Sequence, residues 1–236
     1  MKTTTCLTAL AAACASIFTT TLASAHISVA GPAFAKSTWE ASFSVGHGCD
    51  GVDTYSVTID IPAGVTGVRA VDSTLGKAVT KTDGSGNATS ITWTKATADI
   101  LASDVDFYRL PIRMTTPDAA WTTLYFIAHQ VCRDQLGNTS TVEWSGKGQT
   151  TALPDGAPPP EPAPSVVLLP ARTPGWNKFT VTQKLTSLTV FNDAEIVWAG
   201  NAAYSVNAAY KDLIGKEPDT TALTEIAAGT DIWVKY

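Results

Sequence analysis

The chain has 236 residues, and its 16 Lys plus Arg against 21 Asp plus Glu give a formal charge of −5 and a pI near 5.1. This mildly acidic balance offers no basic stripe for nucleic acid or for an anionic membrane face. After the first 25 residues no apolar stretch approaches the ~20 residues that a membrane-spanning helix needs.

The N-terminus runs from Met1-Lys2 through Leu7 to Ala25 without an acidic residue and ends Ala23-Ser24-Ala25. These are the features of a secretory signal peptide with an Ala-x-Ala cleavage site, so residues 1–25 are expected to be removed and the protein to be periplasmic or secreted. Thr and Ser interrupt the apolar stretch, which argues against a retained anchor. A lipoprotein leader cleaved before Cys14 would want Leu three residues upstream, and that Leu is missing. Cleavage after Ala25 makes His26 the first residue of the mature chain, with a free α-amine beside its imidazole. Cys6 and Cys14 leave with the leader, and Cys49 and Cys132 remain. Two cysteines in an oxidising compartment read as one disulfide. It closes a loop of some eighty residues, for a stabilisation of about 4 kcal/mol. The competing reading, a pair of soft metal ligands, suffers because Cys49 has no neighbouring cysteine at zinc-site spacing.

From His26 onward apolar residues alternate, as in Trp39-x-Ala41-x-Phe43-x-Val45 and Tyr55-x-Val57-x-Ile59-x-Ile61. Alternation of this length predicts half-buried strands. Asp83-Gly84-Ser85-Gly86-Asn87 and Gln135-Leu136-Gly137-Asn138 supply turns, with further strands at Ser90 to Trp93, Leu124 to His129 and Thr141 to Trp144. Thr97 to Asp106 has no sustained apolar stripe and reads as a connection. Many short strands at this spacing predict an all-β, immunoglobulin-like β-sandwich. Leu153 to Pro164 holds six prolines in twelve residues and must be extended, because each ring fixes φ and removes a backbone donor. Ser165 to Pro170 reads as a last edge strand, and a boundary follows between Ala171 and Gly175. The expected domains are therefore 26–170 and a small β-rich piece, 171–236. The second piece has strand-like stretches at Lys178 to Thr182, Ser187 to Phe191, Glu195 to Trp198 and Asp231 to Tyr236, and a short helix from Asn207 to Leu213. It is small for an independent core, so docking against the first domain is expected. Its Trp176, Trp198 and Trp233 offer a sugar-stacking surface or, by default, core.

All three histidines, His26, His47 and His129, fall in the first mature domain. An N-terminal His chelates through its amine and Nδ1 together, a nitrogen pair that suits the tetragonal geometry of Cu(II). The amine must lose its proton to bind, so affinity should rise with pH through the neutral range. In Val45-Gly46-His47-Gly48-Cys49-Asp50-Gly51 an imidazole, a cysteine and a carboxylate share a glycine-flanked turn. Its bland reading is a disulfide-pinned turn whose His bonds to main chain. No nucleophile–base–orienter set is present: the serines lack a Gly-x-Ser-x-Gly context, and no His-x-x-x-His pair exists.

His26 after a cleaved leader, the His47 to Gly51 turn, Val57-x-Ile59-x-Ile61-Pro62-x-Gly64-Val65, Leu124-Tyr125-Phe126 with Gln130-x-Cys132, Val142-x-Trp144, Pro162-Ala163-Pro164 and Leu168-Leu169-Pro170 together resemble the YcnI-like family of exported copper-binding domains. The resemblance covers His26 to about Pro170 and nothing beyond. It implies a β-sandwich that grips Cu(II) in a one-histidine brace, helped by an acidic or similar side chain and a nearby Trp, in copper homeostasis, storage or delivery with copper-handling membrane or periplasmic partners. Carried onto this chain, His26 takes the brace role and Trp144 the nearby indole. His47 is the favoured added ligand, Asp50 the carboxylate or supporting partner, and Glu40 a weaker candidate. His129 reads as a buried, hydrogen-bonded residue. The alternative function is a copper-dependent polysaccharide monooxygenase with His26 and His129 as its brace. A third reading is a structural or adhesive module without metal.

Overall fold

The computed structural model describes residues 26–149, 151, 153–154 and 156–236, and the expected leader lies outside the described residues. In chain order the first half forms β1 (Ser28–Ala30), β2 (Ala33–Phe34), β3 (Thr38–Val45), β4 (Thr54–Asp60), β5 (Thr66–Ala70), β6 (Ala78–Thr82), β7 (Ala88–Thr94), β8 (Tyr108–Thr115), β9 (Thr123–Tyr125), β10 (Ala128–Arg133), β11 (Thr139–Gly146), β12 (Glu161–Pro162) and β13 (Ser165–Leu169). A four-stranded sheet, β1-β3-β8-β5, faces a six-stranded sheet, β12-β11-β10-β4-β7-β6. The alternation explains why they pack. Trp39, Ala41, Phe43 and Val45 of β3 and Leu110, Ile112 and Met114 of β8 turn inward to meet Val57, Ile59, Ile91, Trp93, Ala128 and Trp144. The result is the expected β-sandwich. Phe126 stands in the middle, its ring 5.0 Å from that of Phe43 and 6.2 Å from that of Trp39.

Two turns have a local cause. Asp83 accepts from the amides of Ser85 and Asn87, and Asp134 from the amide and side chain of Asn138. These hydrogen bonds close the β6–β7 and β10–β11 hairpins and hold both carboxyls below their usual pKa range.

Three expectations about elements change. Leu124 to His129 is not one strand: β9 pairs with β13, the chain crosses through Phe126 and Ile127, and β10 then pairs with β4 and β11. Phe126 is apolar like a strand residue, but its amide donates to Pro164, just ahead of β13, and so prolongs the β9–β13 pairing instead of joining β10. The Ser165 to Pro170 segment is not an edge. As β13 it lies between β2 and β9 in a small third sheet. Ser187 to Phe191 contains a 3₁₀ turn at Thr189–Phe191 instead of a strand, with Leu188 and Phe191 buried at a spacing of three. The Thr97 to Asp106 connection holds only the short 3₁₀ turn Thr97–Asp99.

The second half forms β14 (Trp176–Thr180), β15 (Ile196–Ala199), β16 (Ala202–Tyr204), α1 (Ala208–Ile214), β17 (Thr221–Ala222) and β18 (Asp231–Lys235) in one sheet, β14-β18-β15-β16-β17, with α1 beside it. Asn207 caps α1 by accepting from the Ala209 amide at 2.9 Å. One face of this sheet builds a second core from Val197, Ile232 and Val234 with Val181, Leu185 and Phe191, and the first half contributes Trp121 and Leu169 to it. Trp121 has φ 68°, a left-handed conformation that is strained for a bulky residue. Its ring is held on both sides, 5.8 Å from that of Phe179 and 5.9 Å from that of Phe191, while its amide donates to Leu168 of its own half. Arg172 adds a polar seam, paired with Asp193 at 2.6 Å and lying 4.0 Å from the Tyr236 ring centre. Among the described residues no helix is long and apolar enough to cross a membrane.

Candidate metal centre

Ile27 is buried at the mouth of the sandwich core and fixes the residue before it, so His26 is held rather than trailing. β1 then runs antiparallel to β3 with Ser28 opposite Ser44, a register that points the N-terminus toward the Val45–Gly48 turn. The His26 ring lies 5.6 Å from the Trp144 ring, tilted by 59°. Its Nε2 is 3.7 Å from a carboxylate oxygen of Glu161. Both side chains keep solvent access, 36% for His26 and 50% for Glu161, which leaves the pair open to an incoming ion.

Glu161 arrives by a route set in the proline-rich segment. The extended chain returns alongside β11 as β12, pairing Glu161 with Trp144 and Pro162 with Gly146. Proline is tolerated there because β12 is the sheet edge. The approach is close enough that a Cβ on Gly146 would sit 2.6 Å from the Pro160 carbonyl oxygen and 3.0 Å from that of Glu161. Gly146→Ala is therefore expected to push β12 outward and separate Glu161 from His26, weakening metal binding while the sandwich core stays intact. A copper titration beside a thermal melt checks this. An unchanged affinity would mean that β12 position is irrelevant to the site.

Trp144 is itself tied down. Its Nε1–H donates to Gln130 Oε1 at 3.2 Å, and Gln130 Nε2 donates to the His47 carbonyl at 2.8 Å and to Thr54 Oγ1 at 2.9 Å. The Cys49–Cys132 disulfide is present, and it joins residues two positions beyond His47 and Gln130. Cys49 to Val52 form a tight turn with reciprocal backbone hydrogen bonds, Asp50 at φ 50° and Gly51 at φ 82°. Two successive left-handed residues are what a type I′ turn demands, and Asp-Gly satisfies it. Gly48 is obligatory beside it, since a Cβ there would meet the Val52 carbonyl oxygen at 1.8 Å.

The fold therefore brings His26 and Trp144 together and adds Glu161, which the sequence reading passed over. His47 enters chiefly through its main chain: its carbonyl holds Gln130, and its half-buried ring places Nδ1 against the Gly48 carbonyl. Asp50 is exposed at the turn and serves the backbone. Glu40 is exposed, on the face of β3 away from the core and opposite Arg113 of β8. His129 follows the alternation of β10, in which Ala128, Gln130 and Cys132 are buried, so it leaves the sheet on the face opposite Trp144. There it lies 3.1 Å from Asp60, and with its side chain 44% exposed it is hydrogen-bonded but not buried as expected. A brace between His26 and His129 has no support in this arrangement. Among the described residues no group of three or more His, Cys, Asp and Glu comes together. An imidazole, a carboxylate and the α-amine that cleavage would release form a donor set of nitrogen and oxygen atoms suited to Cu(II).

No curated protein matches this chain. Among solved structures, an uncharacterized protein from Nocardia farcinica with an immunoglobulin-like fold aligns with a TM-score of 0.50 and 22% identity, over 62% of this chain and 99% of that one. The major pilin subunit of Bacillus cereus aligns with a TM-score of 0.34 and 13% identity, over 75% of this chain and 48% of that one. The first of these likenesses supports the immunoglobulin-like architecture and speaks to the fold alone. Residues 26–168, more than half of the chain, match a sequence family described as a domain of unknown function, and the chain belongs to that family, DUF1775.

Proposed function

We propose that the mature chain is an exported, non-enzymatic Cu(II)-binding protein that takes part in copper storage or delivery. The observation that carries this reading is the convergence of His26, Glu161 and Trp144 at the point where cleavage after Ala25 would liberate a backbone nitrogen. The amine and Nδ1 of His26 would hold the ion, which requires the ring to turn about Cβ–Cγ from the orientation in which Nε2 faces Glu161; Glu161 would then supply the oxygen ligand, and Trp144 would form an apolar wall limiting the approach of water and competing donors. Glu161 replaces Asp50 as the assisting carboxylate, and His47 remains the candidate for an additional nitrogen. Copper is cargo in this reading: the open, half-exposed pair favours exchange with a partner outside the cytoplasm over turnover at a closed site.

The test compares Cu(II) titrations of the mature protein beginning at His26 with those of the same protein acetylated at the His26 α-amine. Acetylation should weaken binding by at least about a hundredfold, since the amine becomes an amide while the fold is untouched; that ratio is about 2.7 kcal/mol. Glu161→Gln should weaken it by at least tenfold and leave the melting temperature unchanged. Equal affinities for the acetylated and unmodified mature proteins would reject the brace. If only Glu161→Gln binds normally, the brace stands and the oxygen ligand lies elsewhere, with His47→Ala the next variant to measure.

A further inference from the structure

The second sheet buries one face, and the other carries its tryptophans. β14 and β18 pair Trp176 with Lys235 and Lys178 with Trp233, and β18 and β15 pair Trp233 with Trp198. Directly paired residues share a face, so Trp176, Trp198 and Trp233 all lie opposite Val197, Ile232 and Val234 of the second core. Trp176 is 51% exposed and Trp233 49%. This corrects the default expectation of core for Trp176 and Trp233, whereas Trp198 is partly buried and packs against the small cluster of Ile196, Ala203 and Ile214. Between this face and α1 runs a groove of about 330 Å³, lined by Trp176, Trp198, Tyr210, Leu213, Glu217 and Lys235. It lies at the small end of the size range of ligand sites.

The charges around the indoles are paired off. Lys178 lies 2.8 Å from Asp231 and Lys235 2.8 Å from Glu195, to which Tyr210 also donates a hydrogen bond. These contacts hold Asp231 and Glu195 below the usual carboxylate range and Lys235 above the usual lysine range, so the pairs stay charged and mutually satisfied. The face thus combines open aromatic rings with hydrogen-bonding groups and little net field. An anionic membrane wants unpaired cations beside its aromatics, and nucleic acid wants a basic groove. A neutral sugar wants neither: a β-linked hexopyranose offers an apolar C–H face to an indole and hydroxyls to flanking carboxylates, ammonium groups and Thr220.

We infer that the Trp176–Trp198–Trp233 face and its groove against α1 bind an uncharged, β-linked hexose polymer, so that the second half anchors the protein to polysaccharide. The inference is independent of copper. Copper-free mature protein titrated with cellohexaose and with N-acetylchitohexaose, followed by tryptophan fluorescence and calorimetry, should show saturable binding to at least one, with Kd below about 1 mM. Trp176→Ala and Trp233→Ala should each weaken that binding at least fivefold, with the melting temperature preserved because both rings stand largely in solvent. No saturation with either oligosaccharide up to about 10 mM, or equal affinity in both Trp variants, overturns the proposal. So does a concentration-dependent dimer that Trp176→Ala abolishes, or partition onto phosphatidylglycerol vesicles in place of sugar binding, since either assigns the face to a different occupant.

Discussion

Replacing Lys95 with Met is expected to destabilise the folded chain by about 3–5 kcal/mol, the range for leaving one member of a buried ion pair uncompensated. Lys95 Nζ lies 2.6 Å from Asp53 Oδ2, and their side chains are 5% and 0% exposed. The carboxylate also accepts the Leu101 amide at 2.8 Å and is reached by the Tyr108 hydroxyl at 3.4 Å, while the Lys95 ammonium sits 5.0 Å from the centre of the Tyr108 ring. Burial first, and the Asp53 charge second, push the Tyr108 phenol well above the ordinary tyrosine range, so it stays protonated as a donor placed between Asp106 at 3.1 Å and Asp53 at 3.4 Å. None of these neighbours replaces a missing cation. Urea unfolding of the oxidised protein measures the loss. The double variant Lys95→Met with Asp53→Leu should recover most of it, because a paired removal takes away the desolvation penalty together with the attraction. A single variant as stable as the parent would show that the pair is not buried in solution. Asp53 directly follows the Cys49–Val52 turn, and its carbonyl accepts from the Arg133 amide, so this network also seats the turn that supports the candidate site.

The second large effect is expected at the disulfide. Replacing Cys49 and Cys132 together by Ala should lower the unfolding free energy by roughly 2–5 kcal/mol, since the bond closes a separation of 83 residues and restricts the unfolded chain accordingly. A functional loss should accompany it. The bond anchors the His47 turn to β10, and the His47 carbonyl holds Gln130, which in turn holds the Trp144 indole. With the bond gone, Trp144 loses a fixed support, and Cu(II) affinity of the still-folded protein should fall by about tenfold to a hundredfold, the range for removing groups that orient a metal site. Calorimetric titration well below the melting temperature measures this. Unaltered affinity would confine the disulfide to a purely stabilising role.

The sandwich was legible because alternation reports burial directly: Trp39, Ala41, Phe43 and Val45 turn inward as their spacing predicts. The break between β9 and β10 was hidden, since Phe126 is as apolar as a strand residue while its amide bonds to Pro164 beside β13, away from the partners of β10. Half of the candidate site could be read locally. His26 stands out by its place after an Ala-x-Ala sequence, and Trp144 by its late strand. Glu161 could not be read that way, because its meaning depends on a parallel pairing with β11 brought about by a segment whose composition specifies only extension. One signal existed: Glu161 is an acid set between Pro160 and Pro162, where little else has a polar side chain to offer. Asp50 is the opposite case. Its carboxylate drew attention, while the turn required its backbone. The tryptophan face was also encoded, because Trp233 alternates with Ile232 and Val234 and shares its parity with Asp231 and Lys235, the company of a solvent-facing residue.

The family match ends at residue 168, yet Trp121, which lies within the matched stretch, buries its ring among residues that follow it. A protein cut at that boundary would present a bare indole, locked in an unfavourable backbone conformation, to water. Loss of the tail is thus not a clean excision. A relative that lacks such a tail has to fill this position with a smaller or more polar residue, or cover it by other means, and that gives a single-residue marker for which relatives share the two-part design.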